Sequence, residues 1–434
     1  MKPSINSSLC EDKFFCRLLL VSAVELALIC IYSLAVHLTA NDTVSYFEAF
    51  DTLLTGQPDY LRTPVYPFII GSLRFVFGET GGLIALYLLQ SVLFLWSVKW
   101  MKELTYALVS NHRIARWAVA IYAVYPGPLT LCGIALTEAF ALSGIVAVLL
   151  LTWRAFTRRS VRDVVWSAVL VAVLILLRPA LIYLPVALLV FWIISWALGK
   201  ADIRTRLVGI IGMLGVAGLL ICYCGMMFNY YGFRSPSFVG CTNNYFTLRE
   251  AGLVNPADMP TPDMRAMADS LVAVNGEVPE YTAIWDELFA IMEVSRPAEF
   301  MQYCVDAIRN HPAAVAKYIV QKRMADVASS DCVYGGSVCP PVRALTKIIS
   351  VNSGAALLML IILMVMLAVN DVRHKHFSMF MWFLCGLMIV AYASVTVGAM
   401  GEWPRLLIPN YPVLLILGAS FLQRVTNLAS CRQE

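Results

Sequence analysis

The chain has 434 residues, of which 60% are hydrophobic and only 14% charged, with a mean hydropathy of +0.74. A soluble protein of this size cannot hide so much apolar surface, so a soluble enzyme or binding module is excluded. The formal charge of +4 reads as a topology signal in the loops, not as a nucleic-acid footprint.

Apolar runs of about 20 residues, the length needed to cross a bilayer as a helix, recur along the chain. They predict spans over about 17–39, 82–100, 114–129, 131–152, 164–177, 180–198, 207–228, 345–369, 378–398 and 405–423. The fold class expected is an all-α polytopic membrane protein, a bundle of about ten or more transmembrane helices with a mostly helical outer domain. The first run is too long for a signal-peptide core and lacks a cleavage site after it, so it is read as a retained span. The segment 64–77, short, apolar and carrying Arg74, is read as an interfacial helix on the outer face. Lys99, Lys102, Arg113, Arg116, Arg154, Arg158, Arg159, Arg162, Lys200, Arg204 and Arg206 mark inner loops and place the N-terminus inside. Most acids then lie outside.

Three regions follow: residues 1–228, a membrane module with an outer loop at 40–81; residues 229–344, an outer domain; and residues 345–434, the closing spans. Helices are expected in the outer domain at about 262–274, 281–294, 297–310 and 312–328, with Pro297 and Pro312 at helix starts, where a missing N–H costs little. Cys241, Cys304, Cys332 and Cys339 fall on the outer side, enough for two disulfides.

Five constellations carry possible chemistry. Asn41-Asp42-Thr43 ends the first span, and a carboxylate there is placed to act as a general base on an acceptor; a plain helix-end residue is the bland reading. Tyr46 and Phe50 anchor a short interfacial helix, while Glu48, Asp51 and Asp59 read as solvated. Arg62-Thr63-Pro64-Val65-Tyr66-Pro67 sets a guanidinium at head-group level, where it can clamp a phosphate or merely snorkel. Thr137-Glu138 puts an acid at a depth where charge is costly; with no local partner it would share a cavity with Asp42. Arg178-Pro179 and Gly401-Glu402-Trp403-Pro404-Arg405, with Pro409 and Pro412 beyond, add two cations on the same side. Arg62, Arg178 and Arg405 together suggest a phosphate or pyrophosphate site. Glu25 is the clear mid-span charge, and His37 could join Asp42 on a metal. There is no GxxxxGK[ST] loop, dinucleotide fingerprint, Asp-x-Asp or metal-type CxxC, so an activated donor would be lipid-borne.

This ordered set resembles the GT-C superfamily of integral-membrane glycosyltransferases, in particular the protein O-mannosyltransferase and lipid A aminoarabinose transferase group. Ile308-Arg309-Asn310-His311-Pro312, followed by Lys317-Tyr318, is similar to a phrase in that group's outer domains. Where many members carry Asp-Glu after span one, this chain has Asp42-Thr43. The resemblance implies transfer of a sugar from a polyprenyl-phosphate donor to a glycan, lipid or protein acceptor, with inversion, at the outer face of what would be a bacterial inner membrane. It implies Asp42 and Glu138 as the catalytic acids, Arg62, Arg178 and Arg405 on the lipid phosphate, and Tyr66 and Glu402 as further substrate contacts. A divalent metal, held by Asp42, is left open; no other cofactor and no nucleic acid is implied. The rival readings are a lipid-diphosphate-dependent glycan ligase or polymerase, whose outer loop would be rich in Arg and His, and a lipid or solute transporter, whose charges would sit at the midplane of an inverted repeat.

Overall fold

A computed structural model describes residues 5–36, 41–276, 280–331, 351–374 and 377–430. The described chain is almost wholly helical and has no named strand. In order run α1 (Ile5–Ala35), α2 (Asn41–Leu54), α3 (Val65–Leu108), α4 (His112–Val124), α5 (Pro126–Thr130), α6 (Glu138–Arg158), α7 (Val161–Leu177), α8 (Tyr183–Ala197) and α9 (Ile203–Tyr231). Then come α10 (Val239–Glu250), α11 (Pro262–Asn275), α12 (Tyr281–Glu293), α13 (Pro297–Asn310), α14 (Pro312–Tyr318) and α15 (Met324–Ser329). The closing helices are α16 (Ser353–His374), α17 (Met379–Gly398), α18 (Trp403–Leu407) and α19 (Tyr411–Ser430).

Among the described residues, eight segments are long and apolar enough to cross a membrane: Lys13–Ala35, Val65–Leu108, Glu138–Arg158, Pro179–Ala197, Ile203–Tyr231, Ser353–His374, Met379–Gly398 and Trp403–Asn427. The protein is therefore a polytopic, all-helical membrane protein. Two expected spans are shorter than that standard: α4 has 13 residues and α7 has 17, about 20 and 26 Å at 1.5 Å per residue.

α6 lies at the centre. In its most apolar window 72% of residues are buried, against 17% in α1 and 22% in α9. Leu142, Ile145, Val148 and Leu149 are fully buried in one apolar core with Phe94, Met101, Leu188, Leu384 and Leu417. Close approach in such a bundle rests on small residues, because lipid gives no hydrophobic drive between helices. A Cβ on Gly144 would stand 2.5 Å from the Leu174 side chain of α7, and one on Gly209 2.5 Å from the Trp192 ring of α8.

Several boundaries differ from expectation for identifiable reasons. The segment 65–77 and the span after it form one helical run broken at Gly78, whose φ of 73° is non-helical. Span four starts at Glu138, not 131, because Pro126, Pro128 and a short 3-10 turn at Leu131–Gly133 interrupt the chain first. In the last span Pro409 falls in another such turn, at Ile408–Asn410.

Residues 232–331 contain the expected helices almost to the residue, and also α10, which the sequence reading leaves out. Its sequence, VGCTNNYFTLRE, is too mixed in polarity to show a clean helical stripe. These helices share a second apolar core around Phe238, Tyr245, Phe246, Met264, Ile284, Leu288 and Phe300. Within it Arg249 meets Glu287 through two hydrogen bonds of 2.7 and 2.9 Å, and both residues are almost wholly buried. Asn275 and Tyr245 complete the carboxylate at 3.0 and 3.2 Å. Cys241 and Cys304 are buried free thiols that hydrogen-bond each other. Cys332 and Cys339 lie outside the described residues.

Candidate active site

The candidate site stands at one end of the bundle, where α2, the loop before α3, the N-terminus of α6, the C-terminus of α7 and the turn into α18 meet. α2 forms because Tyr46 and Phe50, four apart and both buried, give it one anchoring face. The Phe50 ring lies where a Cβ on Gly71 would be, at 2.0 Å, so α2 seats directly on the α3 backbone. Asp42 falls in the first turn of α2, where the helix dipole favours a carboxylate.

The loop carrying Arg62 is fixed from both sides. Asp59 accepts hydrogen bonds from the backbone N–H groups of Leu61 (2.9 Å) and Arg62 (2.6 Å), an Asx turn. It is buried, not solvated as expected, and burial pushes its carboxyl above the ordinary value. From the other side the Tyr231 hydroxyl donates to the Pro58 carbonyl at 2.5 Å, the Ser237 hydroxyl to the Leu61 carbonyl at 2.5 Å and the Phe238 N–H to the Tyr60 carbonyl at 2.8 Å. Arg62 then lies with its guanidinium carbon 4.6 Å from the centre of the Tyr46 ring.

Arg405 comes from the turn into α18. Gly401 (φ 116°) and Glu402 (φ 49°) both have positive φ, a strained choice for a non-glycine residue. The turn makes the Glu402 carbonyl accept from the N–H groups of Arg405 (2.9 Å) and Leu406 (3.2 Å). Asn243 of α10 holds the preceding Gly398 carbonyl.

Six charged side chains then converge. Asp42 uses its two oxygens on two arginines: Oδ1 accepts from Arg62 Nη2 at 2.7 Å and Oδ2 from Arg405 Nη2. Arg405 also gives Nε to Glu138 Oε1 and Nη1 to Glu402 Oε2, both at 2.6 Å. Arg178 reaches Glu138 Oε1 at 2.8 Å and the Thr137 hydroxyl at 2.9 Å. Arg62 Nε donates to the Ser45 hydroxyl at 2.8 Å. Three guanidinium groups thus face three carboxylates, and the cluster is formally neutral. Its exposure is graded: the side chain of Glu138 is 0% exposed and that of Arg178 8%, but Asp42 is 28% and Glu402 58% exposed. Burial alone would raise the Asp42 carboxyl; the charges and hydrogen bonds of Arg62 and Arg405 outweigh it and hold it at about 2.

Asp42, Arg62, Glu138, Arg178, Glu402 and Arg405, all singled out from the sequence, come together in this cluster. Glu138 does have partners, Arg178 and Arg405, contributed from far along the chain. Tyr66 is fully buried, its ring 4.6 Å from that of Tyr46 and 5.9 Å from that of Phe140, and its hydroxyl has no hydrogen-bond partner; it is part of the floor beneath Tyr46, not a surface a substrate can touch. Among the described residues no three His, Cys, Asp or Glu side chains gather to hold a metal ion, and here both Asp42 oxygens accept from arginines. His37 lies outside the described residues. Glu25 stays apart from the cluster, with Oε2 buried and without a partner. Sequence reasoning missed Ser45, which orients Arg62, and the turn made by Asp59; the Asp-Tyr-Leu-Arg order around 59–62 was the available signal.

No family model matches the chain, and no curated protein matches it in sequence. Solved structures do match it in fold. The Archaeoglobus fulgidus oligosaccharyltransferase AglB, in complex with an inhibitory peptide and a dolichol-phosphate, superposes with a TM-score of 0.53 at 13% identity, over 98% of this chain and 51% of that one. A complex of the Archaeoglobus fulgidus oligosaccharyltransferase with Zn and sulfate gives 0.52 at 14% identity, over 96% and 50%. ArnT from Cupriavidus metallidurans, bound to undecaprenyl phosphate, covers 99% of this chain and 79% of its own at 13% identity, with a TM-score of 0.36, too low to add to the argument. The chain spans about half the length of the archaeal enzyme. It shares its overall fold with that oligosaccharyltransferase.

Proposed function

We propose that the protein is a membrane glycosyltransferase that moves a sugar from a polyprenyl-phosphate-linked donor to an acceptor at the outer face of a bacterial inner membrane, with inversion. One observation carries the reading: within this shared fold, Asp42, Arg62, Glu138, Arg178 and Arg405, from five separate parts of the chain, form a single cluster. The dolichol-phosphate held by a protein of the same fold supports a lipid phosphate as the leaving group.

In the proposed reaction an acceptor hydroxyl or amine attacks the anomeric carbon while the bond from that carbon to the phosphate oxygen breaks. The electron pair leaves on the phosphate, and the acceptor proton passes to Asp42 or to water. Arg62 and Arg405, both part exposed, stabilise the growing negative charge; one well-placed donor to such a charge is worth about 100- to 1,000-fold in rate. Arg178 is nearly buried and held by Glu138 and Thr137, so we assign it to fixing Glu138, which in turn aims Arg405. Glu402 borders the site and orients the third nitrogen of Arg405.

The test is turnover in nanodiscs with a panel of polyprenyl-phosphate sugars, release of polyprenyl phosphate being read by mass spectrometry. Wild type is expected to release it and Asp42→Asn to lose release while staying folded. Equal release by both would remove Asp42 from the mechanism; no release from any donor would remove the donor class.

A further inference from the structure

Asp42 has two incompatible jobs in the reading above. A base should carry a carboxylate open to the acceptor, yet both of its oxygens are engaged by the two arginines assigned to the donor phosphate. The geometry of that engagement decides what it means. Asp42 spans Arg62 and Arg405 with one oxygen on each, which is how two oxygens of a phosphate would span the same pair. It also lies on the open side: Glu138 beneath Arg405 is 0% exposed, and Asp42 above it 28%. Of the three carboxylates on Arg405, Glu138 cannot leave without stranding a buried charge, and Glu402 engages only Nη1.

We propose that Asp42 is an internal surrogate for the donor phosphate: it occupies the phosphate's place on Arg62 and Arg405, and the donor displaces it, freeing its carboxylate toward the acceptor. This rests on the lipid-phosphate reading and specifies its order, donor first and acceptor second. The neutral cluster explains why a surrogate is useful. Without Asp42, Arg62 would lose its carboxylate partner and face Arg405 with no anion between them, a repulsion that the bundle's low dielectric would magnify; the carboxylate keeps the two guanidinium groups oriented until the phosphate arrives. Displacement also removes both cations that depress the Asp42 carboxyl, turning a weak base into a stronger one at the moment the donor is in place. Only the side chain has to turn, because α2 stays anchored by Tyr46 and Phe50.

The experiment titrates undecaprenyl phosphate, without a sugar, into the full-length protein in nanodiscs, and measures affinity for wild type, Asp42→Asn, Arg405→Ala and the exposed-acid control Glu48→Gln. A surrogate that is removed no longer competes, so Asp42→Asn is expected to bind about tenfold more tightly or better although its turnover is lost, and Glu48→Gln to bind as wild type does. Affinity of Asp42→Asn equal to or below wild type would overturn the surrogate. Arg405→Ala separates the two levels: if it binds as tightly as wild type, the phosphate site itself is wrong; if it weakens while Asp42→Asn gains nothing, only the surrogate is wrong. Should the asparagine variant fail to fold, Asp42→Ser, smaller and also neutral, is read in the same way.

Discussion

Glu138→Ala should destabilise this protein more than truncation of either of the arginines that hold Glu138. The carboxylate is 0% exposed, and its partners are 8% and 16% exposed. Breaking a buried pair by removing one partner costs about 3–5 kcal/mol, because the other charge is left uncompensated. Here the stranded group is Arg178, which would keep only the Thr137 hydroxyl, whereas Arg405 would keep Asp42 and Glu402. One stranded guanidinium puts the expected cost at about 3 kcal/mol. Arg178→Ala leaves Glu138 on Arg405 and should cost about 1.5–3 kcal/mol, the loss of a charged hydrogen bond. The double variant should then be little worse than Glu138→Ala alone, with a coupling of about 1–3 kcal/mol. Equilibrium unfolding in mixed micelles, followed by tryptophan fluorescence, measures all three. Additive costs, or a Glu138→Ala protein within about 1 kcal/mol of wild type, would show that the cluster does not bind as drawn.

Three further predictions test other parts of the site. Asp42 has a folded value of about 2 against the ordinary 3.8; a lowered value gives stability that is present above the unfolded value and lost as pH falls through the folded one. The difference in unfolding free energy between wild type and Asp42→Asn should therefore stay flat from about pH 8 to about pH 5 and shrink below about pH 4; a difference that grows on acidification would contradict the pairing. Tyr66→Phe removes a buried hydroxyl that has no partner, so melting temperature should hold or rise, with turnover unchanged; a large loss of turnover would restore Tyr66 as a substrate contact. Gly71→Ala drives a methyl into the Phe50 ring and should cost about 1–3 kcal/mol and much of the turnover, with Phe50→Leu in the same chain recovering part of both as measured by melting and product release.

The charged residues of the site were legible in the sequence because charge in an apolar chain is expensive and conspicuous: Arg62, Glu138, Arg178 and Arg405 each interrupt or border a long apolar run. Which of them pair was not legible, since Asp42 and Arg405 lie 363 residues apart and nothing in a local pattern connects them. The same limit explains Tyr66. Its Arg-x-Pro-x-Tyr-Pro setting has the look of an interfacial aromatic, and only the packing of Tyr46 and Phe140 over it shows that it is interior. The helix starts at Pro297 and Pro312 are legible because proline acts locally on its own φ and on the residue before it. α10 was missed because it is held by tertiary contacts, Arg249 to Glu287 above all, and not by a periodic stripe of its own. Asp59 was taken as solvated because its burial comes from the 231–238 segment closing over the loop.

The span of 363 residues between Asp42 and Arg405 also dictates how the protein must be born. At a ribosomal pace of about 5–20 residues per second, Asp42 is made roughly 20–70 s before Arg405 exists. Through that interval Arg62 is its only cationic partner in the cluster, and Glu138 enters the bilayer with Arg178 alone to neutralise it. A nascent or truncated chain that ends before α18 would thus carry, at the start of α6, a buried carboxylate with only one of its two arginine partners.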